Sequence, residues 1–311
     1  MSIDSGEWQY KKEKLAENLK DITLLWNCGI KHRNNAMNQN IRKWSDPMCN
    51  SSTLGITGKK SIIVDRILEV NKSNDKLFLP EKISNNYKNW LQFSNDDLFV
   101  DFETFSDICE NFDEMPKQKR FNIIYMIGVG YNKDDKWYYK NFTCNKPTYD
   151  EEYRIMNEFT QFINQFIDPR IFYWHAEETF WKKSSLTQFD IIDDGNDDNN
   201  QEKLDNIIDK WQIDNWIDLS KIFKKEPIAI KGVFNYGLKP IAKKMKKHGM
   251  IQTYLESECT NGMMAMVKVW NCYNNSKDPI NSPIMKDIIK YNEFDCKVLY
   301  DIIKYIRNHH S

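Results

Sequence analysis

Two carboxylates, Asp101 and Glu103, stand at alternate positions in the run FVDFET. On a strand, alternate side chains share a face, which places these acids roughly 6–7 Å apart. Their neighbours are apolar, and acids in an apolar strand are costly to bury unless something compensates them. Divalent cations do so, because Mg²⁺ is held by carboxylate oxygens and keeps waters for a substrate. Standing alone, such a triplet is more often the mark of an edge strand whose polar face meets solvent. A second group is Tyr291, Asn292, Glu293, Phe294 and Asp295. Tyr291 and Asp295 are four apart and stack on one face of a helix. A tyrosine titrates near 10, so its phenol orients a water rather than taking a proton from it. Alone, such a pair is an ordinary helix-surface pair. A third group, YWHAEE, offers His175, Glu177 and Glu178 where a strand gives way to a helix. Either glutamate could complete a metal site, and both are favoured at a helix N-terminus by the macrodipole.

The elements that must carry these groups can be read from periodicity. Residues 1–95 read as a small helical domain. Leu15, Leu19, Ile22, Leu25 and Trp26 fall at loose helical spacing, with Gly29 placed as a C-cap. A second amphipathic stretch covers residues 61–70. The texture changes at Asp97. Residues 98–102 form a short apolar run, as in a strand buried on both faces. Residues 122–131 and 137–144 read as strands joined by a turn at 132–135. Residues 150–167 switch to helical period, and 170–174 return to strand. Three strands, a helix and a further strand begin an α/β domain with a mixed sheet. An acidic, Asn-rich insertion covers 186–210. A strand at 215–219 and a final helix at 287–307 close the pattern.

Composition narrows the classes. The 311 residues carry 44 Lys and Arg against 45 Asp and Glu, a net charge of −1, which excludes a globally basic nucleic-acid coat. Hydrophobic residues at 41% and aromatics at 14% exclude a disordered chain. No apolar run reaches 18 residues, so a spanning helix and a membrane partner are not expected. The first residues lack an apolar signal core. Seven scattered cysteines without a CxxC pair fit reduced thiols. The expected setting is therefore cytoplasmic or otherwise intracellular, a nucleus, virion or viral factory included. The balanced charge hides a partition. Lys221, Lys224, Lys225, Lys231, Lys239, Lys243, Lys244, Lys246 and Lys247 share one stretch with Glu226 as its only acid. Lys31, His32, Arg33, Arg42 and Lys43 form a second basic group. Either group could follow a phosphate backbone.

The order of these groups resembles the DEDD superfamily of exonucleases, which has a ribonuclease H-like fold: a strand DxE, an acid at a strand–helix junction, then YxxxD in the last helix. Tyr four before the last Asp is similar to the DnaQ-like DEDDy type. Further likeness lies in residues 216–219 (WIDL), in 236–242 (YGLKPIA) and in 125–129 (YMIGV). Together they resemble most closely the YprB-like ribonuclease H-like domain of predicted RecB-family nucleases, over roughly residues 95–311. Residues 24–56 resemble the helix-hairpin-helix-like region that precedes this domain in some relatives. The implied fold is α/β, a ribonuclease H-like mixed sheet flanked by helices, preceded by a small helical N-terminal domain. The implied domains are 1–95 and 96–311.

The resemblance implies a nuclease hydrolysing DNA or RNA from 3′ to 5′ with two Mg²⁺ or Mn²⁺ ions. Asp101, Glu103, Glu177 and Asp295 would hold the metals. Tyr291 would hold the attacking water, and Lys239, Lys243, Lys244, Lys31 and Arg33 would contact nucleic acid. Replication or repair proteins are the implied partners. One departure stands out: YWHAEETFW has no Asp where the family's second motif carries one. The third ligand then falls to Glu177, with Glu178 as its rival. If neither reaches, only three acids remain, and the alternative is a catalytically weak or inactive nucleic-acid-binding or scaffold subunit.

Overall fold

The structure, a computed structural model, describes residues 8–106, 122–192, 210–253 and 262–311. The chain divides into two compact units. The first comprises Met1–Tyr87, Ser220–Gln252 and Tyr305–Ser311, the second Lys88–Leu219 and Thr253–Lys304.

The first unit opens with helices α1 (Trp8–Leu19), α2 (Ile30–Met37), α3 (Ser51–Leu54) and α4 (Lys59–Lys72), then the short strand β1 (Phe78–Leu79). The helical spacing expected through Trp26 ends early, at Leu19. Asp21 caps a separate 3₁₀ turn at Ile22–Leu24, its Oδ1 accepting from the Thr23 N–H at 2.8 Å. Gly29 begins α2 as its N-cap rather than ending the preceding helix.

The second unit follows in chain order: β2 (Asp97–Ser106), β3 (Asn122–Lys133), β4 (Lys136–Thr143), α5 (Tyr149–Ile163), β5 (Arg170–Tyr173), α6 (Glu177–Ile192) and β6 (Trp216–Asp218). The five strands lie in the order β4-β3-β2-β5-β6. β3 pairs antiparallel with β2 and β4, while β5 runs parallel to β2 and β6. The sheet is therefore mixed. α5 presents Ile155, Met156, Phe159, Phe162 and Ile163 to the core, all buried. Full burial of such a side chain contributes about 1.5–3 kcal/mol. Glu152 on the same helix is fully buried but satisfied. It accepts from the Ile124 N–H at 2.8 Å, from Ser184 Oγ at 3.0 Å and from Gln188 Nε2 at 3.2 Å, which ties β3, α5 and α6 together. Buried Arg170 donates to Asp97 Oδ1 at 2.7 Å and to the carbonyls of Asn89 and Gln92, locking β5 to β2 where both begin. α6 extends helix through residues expected to open the acidic insertion. Residues 193–209, its remainder apart from Lys210, lie outside the described residues.

The chain then forms α7 (Leu219–Lys225), β7 (Ala229–Ile230), α8 (Leu238–Lys247), α9 (Gly262–Asn275) and α10 (Pro283–His309). A single break near residue 95 does not describe this path. β7 pairs antiparallel with β1, setting Phe78 against Ile230 and Leu79 against Ala229. Asn71 Oδ1 accepts from the Gly232 N–H at 2.7 Å, and Lys231 Nζ donates to the Ser73 carbonyl at 2.6 Å. These bonds fold 220–252 with the first unit. His310 stacks on Phe78 with ring centroids 3.9 Å apart. Among the described residues no helix is long and apolar enough to cross a membrane.

Candidate active site

β2 is the middle strand of its sheet, hydrogen-bonded to β3 along one edge and to β5 along the other. Leu98, Val100 and Phe102 are buried, and Phe102 meets the rings of Phe159, Trp181 and Trp216. The alternate residues face α10. Phe99 meets Tyr300 edge-on at 5.4 Å, and Asp101 and Glu103 both reach Asn292. Period-two alternation puts the acids on one face, and a helix covers that face. The edge-strand alternative does not hold.

α10 supplies the partners. Tyr291, Asn292 and Asp295 lie within one turn and are all buried. Asn292 Nδ2 donates to Asp101 Oδ2 at 2.9 Å, to the Asp101 carbonyl at 3.1 Å and to Glu103 Oε1 at 3.4 Å. Its Oδ1 accepts from the Tyr139 hydroxyl at 2.8 Å. Burial, with Cys296 and Asp101 adding, holds the Tyr139 phenol well above its ordinary value, so it donates. Cys296 sits among the same acids. Burial first, then Asp101 and Asp295, push its thiol well above the ordinary value. It stays protonated and is no nucleophile.

The two glutamates of YWHAEE part company. Glu177 is the first residue of α6 and is buried. Burial pushes its carboxyl up to about 8, the backbone N–H groups of Glu177 and Ala176 pull it down, and Asp218 and Asp295 push it up. Glu178 turns elsewhere. Its Oε2 accepts from the Tyr173 hydroxyl at 2.7 Å, and its Oε1 pairs with Lys182 at 2.7 Å. His175, just before them, is exposed and holds a φ of 96°, a region that non-glycine residues seldom occupy.

Two members of this cluster are not among the sequence candidates. Asp218 ends β6, opposite Tyr173, and is buried. Its signal is that of Asp101: an acid in an apolar strand, at the carboxyl end of a parallel strand where ligands are met. Asn292 stands three before Asp295 on one helix face, and its residue type gives no hint.

The basic candidates belong to the first unit, the carboxylates to the second. α8 buries Ile241, Ala242 and Met245 and exposes Lys243, while Lys239 and Lys244 are half-buried. The Lys244 stem packs against Gly232. On α2, Lys31 is exposed and Arg33 pairs with Asp21 at 3.3 Å. Lys231 is occupied by backbone carbonyls and drops out of the basic track.

A family model described as the RNase_H superfamily matches residues 98–307, about two-thirds of the chain. The chain belongs to the RNase_H superfamily. No curated protein and no solved structure matches it. The RNase_H stretch contains Asp101, Glu103, Glu177, Asp218, Tyr291, Asn292 and Asp295, and excludes Lys31 and Arg33. A ribonuclease H-like domain points to nuclease-type chemistry on nucleic acid, and such nucleases generally use divalent metals. The donor set suits one: every candidate ligand is a carboxylate, the hard oxygen donor of Mg²⁺ and Mn²⁺. The mutual repulsion of Glu177, Asp218 and Asp295 is what a cation would relieve. Among the described residues, no three His, Cys, Asp or Glu side chains converge closely enough to grip an ion as they stand.

Proposed function

We propose that the second unit is a metal-dependent nuclease of the DEDDy type, hydrolysing DNA or RNA from the 3′ end with two Mg²⁺ or Mn²⁺ ions. The supporting observation is that five acids, Asp101, Glu103, Glu177, Asp218 and Asp295, are carried by β2, α6, β6 and α10 into one set of charge neighbours. Asp101, Glu103, Glu177 and Asp295 would hold the ions. When bound, the ions supply polarisation of the phosphodiester and neutralise the charge that develops on it. Tyr291 orients the attacking water through its phenol. Glu177 must give up its proton for metal to bind, so affinity rises with pH through the neutral range. Lys239, Lys243, Lys244, Lys31 and Arg33 steer the phosphate backbone. A replication or repair assembly is the setting in which such an activity serves.

The test is digestion of a 3′-labelled strand in Mg²⁺. Asp101→Asn abolishes it while circular dichroism and thermal midpoint stay near wild type; undiminished digestion removes the assignment. The binding-only alternative is favoured by one observation, the lack of an Asp in the second motif, YWHAEETFW. Under that alternative the wild-type protein binds a labelled strand but never shortens it.

A further inference from the structure

We propose that Asn292 is a positioning residue that sets the Asp101 and Glu103 carboxylates for metal, and that Gly128 and Tyr139 are there to hold its carboxamide. This rests on the nuclease reading above.

Asn292 is fully buried, and each end of its amide has a different partner. The Tyr139 phenol, protonated at neutral pH, donates to Oδ1. The two carboxylates can only accept, which fixes the end of the amide facing them as nitrogen, an assignment otherwise ambiguous. Nδ2 is thereby aimed at the acids, where it meets one oxygen of each carboxylate and the Asp101 backbone. Two carboxylates at i and i+2 repel, and ionised carboxylates accept hydrogen bonds but cannot donate them. A neutral amide orients both and leaves their charge intact for a cation. A lysine there would cancel that charge, and an aspartate would add to the repulsion.

The space for this amide comes from the next strand. Gly128 on β3 pairs directly with Asp101. A Cβ at Gly128 would overlap Asn292 Oδ1 and crowd the Tyr139 hydroxyl oxygen. No side chain fits at 128 while Asn292 holds its place, so this glycine is required for close approach rather than for an unusual backbone angle. Gly128, Tyr139 and Asn292 come from β3, β4 and α10. They meet at one amide, whose Nδ2 faces both acids of the DxE pair.

The experiment is Mn²⁺ binding by calorimetry on the full chain, well below the thermal midpoint, with that midpoint measured in parallel. Residues that orient metal ligands typically change affinity 10–100-fold when removed. Asn292→Ala is expected to weaken Mn²⁺ binding at least tenfold while still folded, and Gly128→Ala to do the same by displacing the amide. Because both act through one group, the double variant binds Mn²⁺ no more weakly than Asn292→Ala alone. Tyr139→Phe removes one hydroxyl with little risk to folding, and it weakens binding about threefold or more. A merely structural amide would lower the thermal midpoint of these variants and leave the affinity of the folded protein within twofold of wild type; that result, or additive single effects, overturns the proposal. If wild type itself binds no Mn²⁺, the nuclease reading fails. If wild type and Asn292→Ala bind alike, that reading survives and the role of Asn292 does not.

Discussion

Glu177→Gln is expected to stabilise the metal-free protein at pH 8. An ordinary glutamate, including Glu177 in the unfolded chain, ionises near 4.5, whereas burial with Asp218 and Asp295 nearby keeps Glu177 protonated up to about 8 in the folded state. Between these values the folded protein binds one proton more than the unfolded chain. Stability therefore falls as pH rises through this window, by at most about 1.4 kcal/mol per pH unit. Below the window both states are protonated, and above it both are ionised, so the slope vanishes on either side. The cumulative loss between pH 5 and pH 8 is on the order of several kcal/mol. Glutamine keeps the size of the side chain and cannot ionise, so its curve lacks this slope and crosses above wild type. The assay is the urea midpoint, followed by tryptophan fluorescence in EDTA at half-unit pH steps, with the m-value held as a check. Adding Mn²⁺ flattens the wild-type slope and leaves the variant's unchanged. Parallel pH curves for the two proteins would refute the charge cluster around Glu177.

Two further outcomes follow from the same structure. Asp97→Ala strands the buried Arg170 guanidinium and costs about 3–5 kcal/mol, read as a lower urea midpoint; a change below about 1 kcal/mol would mean the pair does not tie β5 to β2. Lys243→Ala on the exposed face of α8 lowers the slope of log affinity against log salt for a single strand by about 0.7; an unchanged slope removes α8 from the phosphate track.

Much of the second unit is legible in sequence because its strands are buried on both faces. The apolar runs at 98–102, 122–131 and 170–174 declare strands, and the 3.6-residue period declares α5, which ends at Ile163 rather than at 167 and leaves Ile167 exposed. The return of 220–252 to the first unit leaves no such trace. It is made by a pairing two residues long, Phe78 and Leu79 with Ile230 and Ala229, and by single hydrogen bonds such as Asn71 to Gly232, between segments far apart in sequence. Nothing local marks a pairing at that distance. The methionines of α9 divide for a similar reason: Met266 is buried, Met263 is 69% exposed, and helical spacing alone does not say which side the core takes. At the site, the DxE pair announces itself by its cost in an apolar strand, and Asp218 carries the same signal. The different surroundings of Glu177 and Glu178 had a readable sign in Lys182, four residues beyond Glu178 on the same helix face. Asn292 had none, since its importance lies in the space left by Gly128 on another strand.

The central claim is that the acids of β2, α6 and α10 form one divalent-metal centre. A crystal soaked in Mn²⁺ and measured at the manganese edge tests it most directly. The expected result is anomalous density touching Asp101, with Glu177 and Asp295 among the ligands and Glu178 still paired with Lys182. Density absent from this cluster at saturating Mn²⁺, or bound at Glu178 instead, would contradict it.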